Sequence, residues 1–171
     1  LGFADTFEVA VGADLCTIEE AKDFMREVPE HQPFMATSCC PSWSVMAKKL
    51  FPELAQYISM AMTPMVLTAR LAKNKLGRDI KITFVGPCAA KKLEASRRTI
   101  RSDVDFVLTF EELMGMFEAK GVNFDTLEAE PGDDFQHASA DGRGFAASGG
   151  VAQAVVNAIK QMDPDREIKV A

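Results

Sequence analysis

Three cysteines and a lysine are the residues of this 171-residue chain best placed to do chemistry. Cys39 and Cys40 lie in the segment Thr37–Trp43, and Cys88 is followed three positions later by Lys91. A thiolate is a nucleophile and a metal ligand, and its pKa falls when the thiol lies at a helix N-terminus. The pattern is therefore typical of half of a metal-cluster site that has an ammonium group beside it.

Both cysteine segments are predicted to follow a strand and to open a helix. Pro33–Ala36 is short and apolar, and Ile80–Val85 alternates with β-branched residues, so each predicts a strand. Pro41 takes the expected first position of a helix, which places Cys40 at the helix start. Ligands of open α/β sheets gather beyond the carboxyl ends of the strands, where helix N-termini carry partial positive charge. The two segments are therefore predicted to contribute to one metal-cluster pocket.

Elsewhere the chain alternates predicted strands and helices. Further strands are predicted at Phe7–Val11, Val104–Leu108 and Ile168–Val170. Further helices are predicted from caps, prolines and glycines, and they begin near Thr17, Pro52, Pro64, Thr109 and Gly149. The helix after Pro64 is predicted to end at Gly77, and residues 123–144 are predicted to form a loop. Repeated strand–helix units predict an α/β fold with a mainly parallel sheet and flanking helices.

Composition narrows the function classes. A hydrophobic content of 47% is enough for a buried core, and a net charge of −6 argues against nucleic acid as the main partner. No apolar run approaches the roughly 18 residues of a membrane span, so no membrane span is predicted. The four cysteines include an adjacent pair and no C-x-x-C, unlike a secreted disulfide framework. A reducing, cytoplasmic setting is therefore predicted.

The two cysteine segments resemble a known family. Thr37–Trp43 (TSCCPSW) and Gly86–Ala95 (GPCAAKKLEA) are similar to the first two signature motifs of the iron-only (di-iron) hydrogenase catalytic domain. Other segments also look family-like, so the resemblance covers essentially the whole chain: Gly12–Leu15, Pro52–Leu54, Asp103–Leu108 and Gly149–Val151. The resemblance implies that residues 1–171 are part of that domain, with its N-terminal part and its third cysteine motif missing.

The family's cofactor is the H-cluster, a 4Fe-4S cubane joined through a cysteine to a di-iron unit with carbonyl, cyanide and a bridging dithiolate. By resemblance, Cys40 and Cys88 are two of the four cubane ligands. The other two belong to the third motif, downstream of the last segment recognisable here. Half a ligand set is not expected to hold the cluster, so the fragment itself is expected to be apo and inactive.

The resemblance also implies a proton route. Cys39 matches the family's proton-delivering cysteine, a titratable group beside the metal that is not itself a ligand. Glu20, Asp23 and Ser59 fall at places that correspond to the family's relay of carboxylates and a serine. Asp23 stands where a glutamate is usual, which shortens the reach by one methylene. Without the resemblance, Glu20 is interpreted equally well as the capping-box partner of Thr17. Asp23 is then interpreted as a solvated residue on the helix surface.

Further site residues follow from the same resemblance. Lys91 matches a lysine that donates a hydrogen bond to a cyanide ligand, and Phe145 and Ala146 align with contacts to the di-iron unit. Without the family, Lys91 and its neighbour would read as a solvated pair. Three positions depart from the best-known enzymes and suggest a divergent branch: Gly86, Met62 and Met65. Cys16 matches no family ligand, and core packing is predicted for it.

Three classes of function are compared. The resemblance implies that the parent protein is a ferredoxin-type iron-only hydrogenase, an oxidoreductase that interconverts H2 with protons and electrons. Its expected partners are ferredoxin or fused iron–sulfur domains and the hydrogenase maturation proteins. The alternative is a non-catalytic or low-activity relative in H2 sensing or iron–sulfur assembly, although Cys39 is typically lacking in the assembly relatives. A vicinal-dithiol redox protein built on Cys39 and Cys40 would leave Cys88 and Lys91 unexplained.

Overall fold

The computed structural model describes residues 1–101, 103–128 and 137–170 and has an α/β fold with a small parallel sheet. Its α-helices are α1 (Ala10–Glu27), α2 (Pro41–Leu50), α3 (Pro64–Leu76), α4 (Ala90–Ala95), α5 (Phe110–Ala119), α6 (Ala140–Gly144) and α7 (Gly150–Met162). A 3-10 helix covers Pro52–Tyr57, and the strands are β1 (Thr83–Val85) and β2 (Phe106–Leu108). The predicted fold class is confirmed.

The chain divides into two compact units, each with its own elements. One unit, here the helical unit, takes its described residues from Val9–Leu67 and Ala138–Ala171. The other, here the sheet unit, takes its described residues from Leu1–Glu8 and Thr68–His137. None of the helices within the described residues is both long and apolar enough to cross a membrane.

The core of the helical unit lies between α1 and α7. Ala21, Val155 and Ile159 are buried together, and four partly buried side chains pack against them: Phe24, Met25, Ala158 and Ile168. The valines and the isoleucine of α7 recur at a spacing of three to four residues, which places them on one face of the helix. The helix start predicted near Gly149 is confirmed, and Gly149 itself precedes α7 at a φ of +74°.

Helix α1 begins earlier than the sequence indicated. Its backbone is helical from Ala10, so the predicted strand at Phe7–Val11 is wrong. Thr17 lies inside the helix, and its hydroxyl donates a hydrogen bond to the Ala13 carbonyl at 2.9 Å. The predicted capping box of Thr17 and Glu20 is wrong for the same reason: the residues that precede Thr17 continue the buried face of the helix.

The sheet unit is organised around Asp105, which precedes β2. The strands β1 and β2 pair in parallel, with Phe84 opposite Val107. One carboxylate oxygen of Asp105 accepts hydrogen bonds from the Ile82 N–H at 2.9 Å and from Lys73 Nζ at 3.1 Å. Burial alone would raise the pKa of Asp105, but these hydrogen bonds and that of Lys81 lower it overall. The carboxylate therefore ties α3 to the sheet.

Several predicted strands are shorter than expected, or absent. Of Pro33–Ala36, Ala36 alone forms a bridge, to Ile58, and Ile80–Val85 is a strand only over its last three residues. Residues 168–170 form no strand, since Ile168 packs against the helical core instead. The predicted loop at 123–144 contains α6, while its residues 129–136 lie outside the described part of the chain.

The predicted helix starts at prolines and caps are confirmed after Cys40. Pro41 and Pro64 are the first residues of α2 and α3, and α3 ends one residue before Gly77, at a φ of +105°. Thr109 and Glu112 form a complete capping box at the start of α5. Local sequence chemistry thus sets these boundaries, because each signal acts on backbone groups within the same turn.

Candidate metal centre

Cys40 caps α2 with its side chain. Its sulfur accepts a hydrogen bond from the Trp43 N–H at 3.4 Å, and the residue is exposed. The preceding Cys39 is half-buried, and neither cysteine forms a disulfide. The Cys40 sulfur therefore faces the backbone N–H groups at the start of α2, and cysteine sulfur is the usual protein ligand of iron–sulfur clusters.

Glu20 is a fully buried carboxyl group on α1, with 0% of its surface exposed. Its Oε1 accepts a hydrogen bond from the Ser38 N–H at 3.3 Å, next in sequence to Cys39. Its Oε2 is buried and has no hydrogen-bond partner within the described ranges. Helix α1 therefore presents a carboxyl group directly to the backbone of the cysteine segment.

The pKa of Glu20 is raised from 4.5 to about 7. Burial is the largest cause, and the negative charge of Asp23 adds a smaller increase. Hydrogen bonding from the Ser38 backbone and from the Ser59 hydroxyl opposes the shift. A carboxyl group in this state exchanges protons near neutral pH.

Ser59 is buried and is held next to the cysteine segment by backbone pairing. Its N–H donates to the Ala36 carbonyl at 2.8 Å, within the bridge between Ala36 and Ile58. Asp23 lies one turn beyond Glu20 and forms an ion pair with Arg26 at 2.7 Å. The structure thus brings Glu20, Ser59 and the backbone beside Cys39 together, and it places Asp23 at the more exposed end of the same helix face.

In the sheet unit, Cys88 lies between β1 and α4, and Lys91 lies in the first turn of α4. Cys88 is half-buried, and its carbonyl accepts a hydrogen bond from the Lys91 N–H at 3.1 Å. Lys91 Nζ lies 2.7 Å from the Glu94 Oε2, and the two side chains are only 12% and 2% exposed. Lys91 is therefore held in a buried ion pair and is not part of a solvated surface.

Glu94 is the residue of this region that sequence reasoning missed. It lies within the second motif at three residues from Lys91, a spacing that brings two side chains of a helix together. That spacing was a usable signal, but exposed pairs of this kind are common on helices. Only the burial of Glu94 distinguishes it from them.

Phe145 and Ala146 lie at the C-terminal end of α6, half-buried and exposed respectively. The start of α6 is anchored to α1, because Asp14 Oδ2 accepts the Ser139 N–H at 2.7 Å and the Ser139 hydroxyl donates to the same carboxylate. Cys16 is buried on α1, with 1% of its surface exposed, so its predicted place in the core is confirmed.

A model of the iron-only hydrogenase large subunit, C-terminal domain, matches residues 1–170. The chain belongs to this hydrogenase family.

Relatives of known name and structure agree with the family. The chain is 33% identical to iron hydrogenase 1 of Clostridium pasteurianum over 99% of its own length and 32% of that protein. It is also 31% identical to the cytosolic iron-sulfur assembly component 3 of Bos taurus, over 78% of the chain and 32% of that protein. A solved HydA(deltaEFG) structure, which concerns stepwise [FeFe]-hydrogenase H-cluster assembly, is 31% identical with a TM-score of 0.75. It is matched over 99% of this chain and 46% of that one.

This hydrogenase-family chain therefore spans about a third of the length of the two curated relatives named here. Within its described residues, no three histidine, cysteine, aspartate or glutamate side chains are grouped to hold a metal ion. A free thiol at the cap of α2 and another just before α4 suit a thiolate-bound iron–sulfur cluster in donor chemistry. The chain's own donors therefore fit a part of the cluster's ligand set.

Proposed function

We propose that the chain is part of the catalytic domain of an oxidoreductase that interconverts H2 with protons and electrons at an H-cluster. The observation that carries the proposal is Glu20: a fully buried carboxyl with a pKa of about 7, hydrogen-bonded to the backbone next to Cys39. Burying an ionisable group without a charge partner costs stability, so packing alone does not account for a glutamate at this position. A proton carrier, by contrast, requires an ionisable side chain there.

Cys40 and Cys88 are the proposed cubane ligands. Each is a free cysteine close to the start of a helix, and the Cys40 sulfur already accepts a backbone N–H. Hydrogen bonds to ligand sulfurs tune the redox potential of iron–sulfur clusters. When bound, the cofactor would supply electron transfer and an iron site for the splitting or formation of H2.

The proposed proton route leads from Cys39 to α1. Cys39 exchanges a proton with the reacting site, and Glu20 carries it onward because both of its protonation states are populated near pH 7. Ser59 donates to the Glu20 carboxyl and orients it. Asp23, one turn further along α1, is the more exposed end of the route.

Lys91 is the proposed donor to a cyanide ligand, and Glu94 is its positioning residue. Three rotatable N–H groups allow the Lys91 ammonium to donate to Glu94 and to a metal-bound anion at once. The 2.7 Å ion pair fixes where the ammonium lies. Phe145 and Ala146 are the proposed protein contacts to the di-iron unit.

The test is dihydrogen evolution by the complete parent protein, loaded anaerobically with its di-iron unit and supplied with a reduced electron donor. Removal of one acid–base group that acts in the reaction costs roughly 100-fold or more, so Cys39→Ala should lose at least that much activity. Cys16→Ala removes a buried thiol outside both motifs and should retain most of the activity. Equal activity in the two variants would reject the proton route.

The second candidate is a non-catalytic or low-activity role in hydrogen sensing or iron–sulfur assembly. The similarity to the cytosolic iron-sulfur assembly component 3 favours the assembly role. In that case the cluster-loaded parent protein would evolve little H2, and Cys39→Ala would change nothing. Full cluster occupancy, measured by iron analysis and vibrational bands of the carbonyl and cyanide ligands, separates this outcome from failed loading.

The proposed partners follow from the main proposal. Ferredoxin or fused iron–sulfur domains would deliver electrons to the complete protein, and hydrogenase maturation proteins would install the di-iron unit. A cytoplasmic location remains a prediction from the spacing of the cysteines in the sequence, and localisation of the tagged parent protein tests it.

A further inference from the structure

A polar cavity of about 550 Å³ lies in the sheet unit, apart from the residues assigned above. It is formed by the C-terminal half of α3, the residues that follow α3, and the turn before β2. Its lining is Arg70, Lys73, Asn74, Arg78, Thr99 and Asp103. The volume is in the range of small-molecule sites, whereas the lining is more polar than usual for them.

The cavity carries an excess of positive charge. Three of its lining residues are cations and one is a carboxylate. Asp105 lies nearby and pairs with Lys73 of the lining and with Lys81. Counting Asp105 and Lys81 as well leaves an excess of two positive charges among the described residues. The C-terminus of α3 contributes only about half a negative charge against this excess. The cavity therefore favours an anion.

The segment around the cavity, residues 68–101, adds to the positive electrostatic potential. Residues 68–101 hold ten of the chain's 19 lysines and arginines but only two of its 25 aspartates and glutamates. Arg97, Arg98 and Arg101 flank the lining residue Thr99 in an exposed turn. A cleft walled by one sign of charge concentrates ligands of the opposite sign. This local excess is hidden by the chain's net charge of −6.

Two of the cations are held in place before any ligand binds. Arg70 Nε donates to Asp103 Oδ2 at 2.9 Å, and its Nη2 donates to the Thr99 carbonyl at 3.4 Å. Lys73 Nζ is fixed by Asp105 at 3.1 Å. Fixed donors lose little entropy on binding, and the planar guanidinium matches a phosphate group with two parallel hydrogen bonds.

We propose that this cavity binds a small molecule bearing phosphate groups. Arg78, the exposed third cation of the lining, acts with Arg70 and Asn74 as a donor to the phosphate oxygens. The proposal is independent of the hydrogenase function, because none of these residues belongs to the proposed metal centre.

The experiment is calorimetric titration of the chain with inorganic pyrophosphate. Separate titrations with citrate and with sodium chloride, at matched ionic strength, are the controls. One saturable site is expected for pyrophosphate, with clearly weaker binding of citrate. Arg78→Ala should weaken pyrophosphate binding about tenfold, the effect of one lost charge-assisted hydrogen bond, and Arg78→Lys should weaken it less.

Lys75→Ala is the matched control, because Lys75 lies on α3 and is exposed but does not line the cavity. Its affinity should stay within about twofold of the original. Circular dichroism of each variant confirms that it is folded. Absence of saturable binding, equal affinity for citrate, or an equal loss in Lys75→Ala would each overturn the proposal.

Discussion

At the scale of single residues, Glu20 is the carboxyl group of the proposed site whose protonation changes near neutral pH. Its neighbours supply fewer hydrogen bonds than a carboxylate accepts, since Oε2 has none among the described residues. A neutral carboxyl tolerates this arrangement better than a charged one. The residue is thus adapted to gain and lose a proton, at a cost in stability that can be measured.

Glu20→Gln tests that cost through the pH dependence of unfolding. Because the folded pKa of about 7 exceeds the unfolded value of 4.5, the native carboxyl is favoured in acid. As the pH rises from 4.5 to about 7, the contribution of this carboxyl to the unfolding free energy falls by roughly 3 kcal/mol. Urea unfolding at pH 5 and pH 8 should show this fall in the original chain and not in Glu20→Gln.

Glu19→Gln is the matched control, an exposed neighbour on the same helix. It should keep the decline of the original chain between pH 5 and pH 8. If Glu20→Gln shows the same decline as the control, the buried carboxyl is not the group responsible.

The buried pair of Lys91 and Glu94 leads to a second residue-scale prediction. Glu94→Ala removes the carboxylate that pairs with a largely buried ammonium and should lower the unfolding free energy by about 3–5 kcal/mol. The double variant Lys91→Met, Glu94→Leu removes both charges and should recover most of that loss. Denaturant titration measures both effects.

Lys92→Ala provides the comparison, since its ion pair with Glu112 is roughly half exposed. A cost below about 1 kcal/mol is expected for it. A double variant as unstable as Glu94→Ala would show that shape and packing at these positions matter more than charge compensation.

At the scale of elements, α6 is positioned by its close approach to α1. A Cβ at Gly142 would lie 2.5 Å from the Ala10 carbonyl oxygen and 2.5 Å from an Asp14 carboxylate oxygen. A Cβ at Gly144, in the same helix, would meet nothing within 4 Å. Only the first glycine is therefore required by packing.

Gly142→Ala should lower the unfolding free energy by about 1–3 kcal/mol, because α6 has to shift away from α1. Gly144→Ala should be neutral or stabilising by up to about 1 kcal/mol, because alanine has the higher helix propensity. Thermal unfolding of both variants makes the comparison. Equal melting temperatures for the two variants would mean that α6 can shift away from α1 without loss of stability.

Element boundaries were predictable where the signal was local. The start of α2 at Pro41 and the capping box of α5 each depend on one turn of backbone, and both predictions are confirmed. The start of α1 was missed because the small residues Gly12 and Ala13 carry a weak periodic signal. Both residues are buried in α1, which packs against α6 and α7, and this tertiary packing outweighs the weak local signal.

At the scale of the whole molecule, each unit carries one of the two proposed cubane ligands. Cys39, Cys40 and Glu20 belong to the helical unit, and Cys88 and Lys91 belong to the sheet unit. A 4Fe-4S cubane is bound by four thiolates, and Cys40 and Cys88 are two proposed ligands. Cys16 is buried in the core of the helical unit and is not proposed as a ligand. We therefore propose that the isolated chain is apo and inactive.

Anaerobic reconstitution of the isolated chain with iron and sulfide tests this proposal. After desalting, iron and sulfide analysis should find well under one 4Fe-4S cluster per chain, because two missing ligands leave iron sites open to exchange. Cys40→Ser and Cys88→Ser should remove any residual cluster, whereas Cys16→Ser should leave its amount unchanged. One stable cluster per chain in all three variants would contradict the ligand assignment.

The sequence by itself determined the chemistry that is available: the cysteine pair, Cys88 with Lys91, and the helix caps that set their local geometry. These signals suffice because covalent neighbours and single turns of helix carry them. Tertiary structure alone decided that Glu20 is buried with a raised pKa, that Glu94 holds Lys91, and that cations surround one cavity. Burial depends on residues far apart in the chain, so no local pattern could supply it. The excess of lysine and arginine in residues 68–101 can be read from the sequence, but the cavity that some of them line cannot.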